Sequence, residues 1–178
     1  MPQIHAVILV ALAVLAAGCS SSPTHYHTLV PPQPTGEEGT NVLVERVSVP
    51  PQVDRPQLVV RQGQSGLAIL DTEWWGANLV DEFRSALQDQ LGGPVGSSVR
   101  SVLRVDVQRF DSVPGQHALL EAVWRLKRPG QDELTCRTTV QTPAQASVSS
   151  LVSAQQSNLR QLAGEVRSAA VQGRCPAA

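Results

Sequence analysis

Residues Gln116–Arg128 narrow the folds open to this chain more than any other segment. Ala118, Leu120, Ala122, Trp124 and Leu126 take every second position, set against Leu119, Glu121, Val123, Arg125 and Lys127. Side chains on a strand alternate between faces, so this pattern predicts a long strand with one wholly apolar side. Such a side has to be covered, and two helical patterns can cover it. Trp75, Leu79, Phe83, Leu87 and Leu91 recur every four residues, joined by Val80 and Ala86. They predict a helix from Glu73 or Trp74 to Leu91, capped by Asp71 or Thr72 and ended by Gly92-Gly93-Pro94. A second helix is predicted from Ser147 to Val171, with Val148, Leu151, Val152, Leu159, Leu162, Val166 and Ala169 on its apolar side and Gly173 as its stop.

The remaining segments read as strands. His25–Val30 is a brief extended run before the Pro31-Pro32-Gln33-Pro34 loop. Asn41–Val49 alternates and is stopped by Pro50-Pro51. Its expected faces are Val42, Val44, Arg46 and Ser48 against Leu43, Glu45, Val47 and Val49. Gln57–Gln62 and Leu67–Leu70 flank a Gly63-Gln64-Ser65-Gly66 turn and predict a hairpin. Val99–Phe110, with Val105 and Val107 facing inward, precedes the long strand, and Asp132–Gln141 follows it. The short connections at Asp111–Gly115 and Pro129–Gln131 make these three an antiparallel meander. The order β-β-β-β-α-β-β-β-α predicts an α/β protein, a mixed, mostly antiparallel sheet packed against two long helices.

The chain opens with an apolar run, Ile4 to Ala17, that ends Leu15-Ala16-Ala17-Gly18-Cys19. Roughly fourteen residues fall short of the ~20 that a helix needs to cross a bilayer. Small residues directly before a cysteine instead read as a lipoprotein signal, with cleavage before Cys19 and acylation of Cys19. An ordinary cleaved secretory signal is the alternative. Residues 1–18 are thus assigned as signal peptide, 19–24 as a lipidated tether and 25–178 as a single domain. Ser20 stands where an aspartate often retains a lipoprotein at the inner membrane, so the expected address is the periplasmic face of the outer membrane.

The formal charge is −1, and only 16% of residues are charged. Arg125, Lys127 and Arg128 form one small local cluster, too little for the positive footprint of nucleic-acid binding. Two cysteines remain after Cys19. Cys136 lies in a strand and Cys175 beyond the last helix, and an oxidising compartment lets them pair and staple the C-terminal tail to the sheet. The alternative is one buried thiol and one free thiol.

Catalytic constellations are not evident. His25 and His27 are spaced i, i+2 on a strand, but no nearby Cys or carboxylate cluster completes a four-ligand metal site. His117 opens a strand after a turn, an exposed position. No glycine stands in a phosphate-loop pattern, and no Gly-x-Ser-x-Gly elbow occurs. The expectation is a non-enzyme without catalytic residues, metal or cofactor.

Two features suit an interface. On the predicted helix the stripe selects Trp75 as the core member, leaving Trp74 partly exposed as an interface anchor or, equally, as a shield for the preceding hairpin. Gln57–Gln62, carrying Gln57, Val59 and Arg61, is an edge strand able to pair with a neighbour, a route to a homo-oligomer.

The lipoprotein signal, His25-Tyr26-His27-Thr28-Leu29, Val44-Glu45-Arg46-Val47-Ser48-Val49-Pro50 and Pro56-Gln57-Leu58-Val59-Val60-Arg61 together resemble the PqiC/YmbA-like family of ABC-type transport auxiliary lipoproteins. Trp75-Gly76-Ala77-Asn78-Leu79 is similar to that family's Trp-initiated segment, with Asn78 in place of a frequent proline. Ser153–Ser157 and Leu159–Ala163 resemble its closing helix. The resemblance implies a non-catalytic accessory or docking subunit at the outer membrane. Its implied partners are a periplasm-spanning MCE-domain protein and an inner-membrane permease complex in intermembrane lipid transport. A stand-alone periplasmic lipoprotein that binds lipid or a small ligand is the alternative, and it would need an apolar cavity between helix and sheet.

Overall fold

The computed structural model describes residues 22–32, 40–92 and 100–176. The signal segment and Cys19, with its expected acylation, lie outside the described residues. Seven strands and two helices follow in the expected order: β1 (His25–His27), β2 (Val42–Ser48), β3 (Gln57–Gln62), β4 (Gly66–Trp75), α1 (Leu79–Gln90), β5 (Ser101–Val113), β6 (His117–Lys127), β7 (Leu134–Pro143) and α2 (Val148–Gln172). The fold is mixed and mostly antiparallel, packed against two helices, as the sequence pattern requires. The strands divide between two sheets, ordered β1-β4-β3 and β2-β5-β6-β7. Two of the pairings, β1 with β4 and β2 with β5, are parallel.

The four-stranded sheet holds most of the core. The predicted inner face of β6 is completely buried from Ala118 to Leu126. Leu103, Val105, Val107 and Phe110 of β5 lie beside it. The helix α2 covers β6 and β7, while α1 packs on β2 and α2. Phe83 and Leu87 of α1 and Leu159, Leu162 and Val166 of α2 are fully buried in the same cluster. A bulge in β2 between Val44 and Arg46 re-phases that strand. Val47 therefore joins Val42 and Val44 on the buried side, rather than facing opposite to them.

Several polar side chains in this core bond to one another or to backbone carbonyls. Trp124 Nε1 donates to Thr138 Oγ1 at 2.9 Å, and Thr138 in turn donates to Glu165. Asn158 Nδ2 donates to the Ala118 carbonyl at 3.1 Å and its Oδ1 accepts from Thr142 Oγ1 at 2.7 Å. Gln155 Nε2 reaches the Asp111 carbonyl at 3.0 Å. Burying these amides is tolerable only because each finds partners.

The helix α2 begins at Ser147, whose side chain accepts from the Ser150 amide, and stops at Gly173, which has φ 75°. That left-handed conformation favours glycine, and a Cβ there would also push aside the Arg128 guanidinium, whose Nη1 lies 2.8 Å away. Beyond it, a Cys136–Cys175 disulfide with Cα atoms 5.5 Å apart joins the tail to β7.

Several boundaries differ from the sequence reading. Trp74 and Trp75 do not open a helix; they end β4, and α1 starts at Leu79, so the Asp71 or Thr72 cap does not form. Trp75 shares the four-residue spacing of α1 because it enters the same core from a strand end, where it lies 6.4 Å from the Phe110 ring. Pairing to strands on both sides holds residues 73–75 extended, and the Gly76 amide is taken by the His27 carbonyl at 2.8 Å. Asn78 takes the N-cap position without a side-chain bond; its carbonyl accepts from the amides of Asp81 and Glu82. The strand β5 continues through a bulge at Val107/Arg109 to Val113, past the expected loop start at Asp111. His117 is half-buried rather than exposed.

Candidate docking face and N-terminal clasp

The interface residues singled out from the sequence meet on one face of the three-stranded sheet. In β3, Leu58 and Val60 point inward and are buried, while Gln57, Val59 and Arg61 alternate with them. Cross-strand partners share a face, and β4 places Trp74 opposite Gln57, Ile69 opposite Val59 and Leu67 opposite Arg61. The first row extends into β1, where Tyr26 pairs with Trp74. Three residues that the sequence reading passed over are the most open: Tyr26 at 69%, Ile69 at 45% and Leu67 at 42% exposure. Trp74 is half-buried and donates from Nε1 to its own strand's Asp71 carbonyl at 2.8 Å. Alternation along a strand, rather than angular separation on a helix, sends Trp75 inward and Trp74 outward.

The period-2 signal that could have exposed Leu67 and Ile69 was present in Leu67-Ala68-Ile69-Leu70. It was obscured because every residue in that run is apolar. Arg61 leans off this face: its Nε donates to Asp111 Oδ1 of β5 at 2.9 Å. The edge strand β3 therefore carries an ion pair toward β5, a feature that no sequence spacing announces.

The N-terminal segment is fastened to this sheet by side chains. His25 Nδ1 and His27 Nε2 lie 3.0 Å and 2.5 Å from the two carboxylate oxygens of Glu73. The His27 hydrogen bond is the largest cause holding the Glu73 carboxyl below its ordinary value; desolvation opposes it and His25 adds to the lowering. Next, buried Glu82 accepts from Thr28 Oγ1 at 2.7 Å and from the Leu29 amide at 2.9 Å. Gln156 Nε2 of α2 donates to the Thr28 carbonyl at 3.0 Å, and the Leu29 side chain is buried. Among the described residues, no group of three or more His, Cys, Asp or Glu side chains could hold a metal ion. Nor, among them, is any helix long and apolar enough to cross a membrane.

The family model of the ABC-type transport auxiliary lipoprotein component matches residues 27–167. The chain belongs to that family, and it is a non-catalytic transport-auxiliary lipoprotein of the periplasm. Two crystal structures share its fold. One, of an uncharacterized protein, is 19% identical with a TM-score of 0.65, the match covering 83% of this chain and 98% of that one. The other, protein XCC0632 from Xanthomonas campestris, described as DUF330, is 21% identical with a TM-score of 0.61, covering 85% and 95%. No curated protein matches the chain.

Proposed function

We propose that this protein is an outer-membrane lipoprotein, anchored through Cys19, that serves as a docking subunit for a periplasm-spanning MCE-domain partner. The partner leads to an inner-membrane permease complex in an intermembrane lipid transport system. The observation that carries this reading is the family match over residues 27–167. The apolar face formed by Tyr26, Trp74, Val59, Ile69 and Leu67 supports it, because open apolar side chains gathered on one sheet favour a protein partner or a second copy of the chain. Its position fits too. Only five residues lie between Cys19 and His25, so the sheet would lie within roughly 20 Å of the anchor along the chain. A carrier of lipid acting alone would need a hollow between helix and sheet, and Phe83, Leu87 and Trp124 fill that space.

The test is mild crosslinking in membranes followed by purification. Recovery of an MCE-domain protein with the native chain, and its loss in Leu67→Glu/Ile69→Glu, is the expected result. Recovery of monomer alone would refute the docking role. Intact mass of the mature protein checks the anchor separately: acyl chains on Cys19 are expected, and an unmodified Cys19 would remove it.

A further inference from the structure

Between the tip of the β3–β4 hairpin and the β5–β6 turn lies a solvent-open cleft of about 830 Å³. Its chemistry is one-sided. Asp111, its one carboxylate, has a side chain only 10% exposed and is claimed twice. Arg61 donates to its Oδ1 through Nε alone, at 2.9 Å. Arg109 donates to its Oδ2 through Nε at 3.0 Å and Nη2 at 2.6 Å. Two guanidiniums on one carboxylate leave a net positive charge in the cleft, which His117 also lines. Arg61 keeps both terminal nitrogens uncommitted to Asp111, and Arg109 keeps Nη1. A buried carboxylate that holds two planar forks in fixed orientation prepares them for an oxyanion at little further cost in side-chain freedom. Val60 and Val113 give the cleft apolar wall beside these donors.

We infer that this cleft binds a phosphate-type oxyanion between Arg61 and Arg109, either the headgroup of an anionic phospholipid or a free phosphate. The assignment is independent of the docking role, since the cleft lies off the apolar face and needs no protein partner. A second basic feature sharpens the claim. Arg46, Arg104 and Arg125 stand in one row across β2, β5 and β6 on the outer face of the other sheet. That row is exposed, and Arg104 is drawn to Glu45. It has no buried carboxylate to fix it, so it serves as the internal control.

The experiment is titration calorimetry on the full chain in a neutral detergent at low salt. The probes are inorganic phosphate and glycerophosphoglycerol, with glycerol as the uncharged control. Saturable binding of at least one phosphate probe is expected, weakened about tenfold or more in Arg61→Gln and in Arg109→Gln, and unchanged in Arg125→Gln. Binding of the diester alone identifies a lipid headgroup; binding of inorganic phosphate as well identifies a free anion. Arg109 is half exposed, so its variant folds, and an unchanged unfolding midpoint confirms this. No saturable binding of either probe overturns the assignment. So does binding that survives Arg61→Gln/Arg109→Gln, or binding that is lost only with Arg125.

Discussion

The two sheets of this protein meet their solvent and their core in opposite ways. In the four-stranded sheet one face is sealed under both helices, and its central strand exposes nothing from Ala118 through Leu126 on that side. In the three-stranded sheet Leu58, Val60 and Trp75 reach inward, but Leu67, Ile69 and Tyr26 are left uncovered on the other face. Apolar area withdrawn from water stabilises at roughly 25 cal/mol per Å². The first sheet therefore carries stability, and the second leaves apolar surface open to solvent, where the proposed docking role would make its contact. Damage to each should be read by a different measurement.

Trp124→Ala should have the largest effect. Truncating a fully buried Trp costs about 3–5 kcal/mol, here together with the bond to Thr138, and urea unfolding measures it. A loss under about 1 kcal/mol would break the contrast. Reducing the Cys136–Cys175 bond comes next. It closes a loop with a sequence separation of 39, and in the chain-entropy model this contributes roughly 4 kcal/mol. Unfolding midpoints with and without reductant report it, and capture of a partner by the other sheet should be indifferent. The Leu67→Glu/Ile69→Glu variant should invert the pattern: stability within about 0.5 kcal/mol of the native chain, crosslinked partner lost.

The smallest effect concerns the N-terminal clasp. Because the folded Glu73 carboxyl is held below its ordinary value of 4.5, its contribution is fully present above that value. It disappears as pH falls through the depressed one. Amide-exchange protection of residues 25–29 should fall over that acid window, and Glu73→Gln should flatten the response. A profile unaltered by the substitution would show that the histidines do not hold the segment through Glu73.

The helices and the meander were legible in the sequence because their signals are local: a period of 3.6 or 2, with proline and glycine at the ends. Ser147 and Gly173 even marked the limits of α2. Trp74 and Trp75 misled because Trp75 sits in phase with Leu79 and Phe83, and periodicity alone does not separate a strand end from the next helix. The decisive fact was pairing with residues 25–27, almost fifty positions away. The same holds for the candidate sites. Gln57, Val59, Arg61 and Trp74 are separate candidates in the sequence, and only the hairpin register brings them onto one face. The Arg61–Asp111–Arg109 cluster joins β3 to the far end of β5, where Asp111 is expected to be loop, so no reading of spacing could assemble it.

The fastening of residues 25–29 has a mechanical consequence. The β1–β4 ladder, the Glu73 clasp, the Glu82 carboxylate and the Gln156 amide all grip this short stretch. Any load entering from the N-terminus is thus shared among β4, α1 and α2 instead of peeling one bond at a time. A pull on the N-terminal segment would have to shear these bonds together rather than open them in turn.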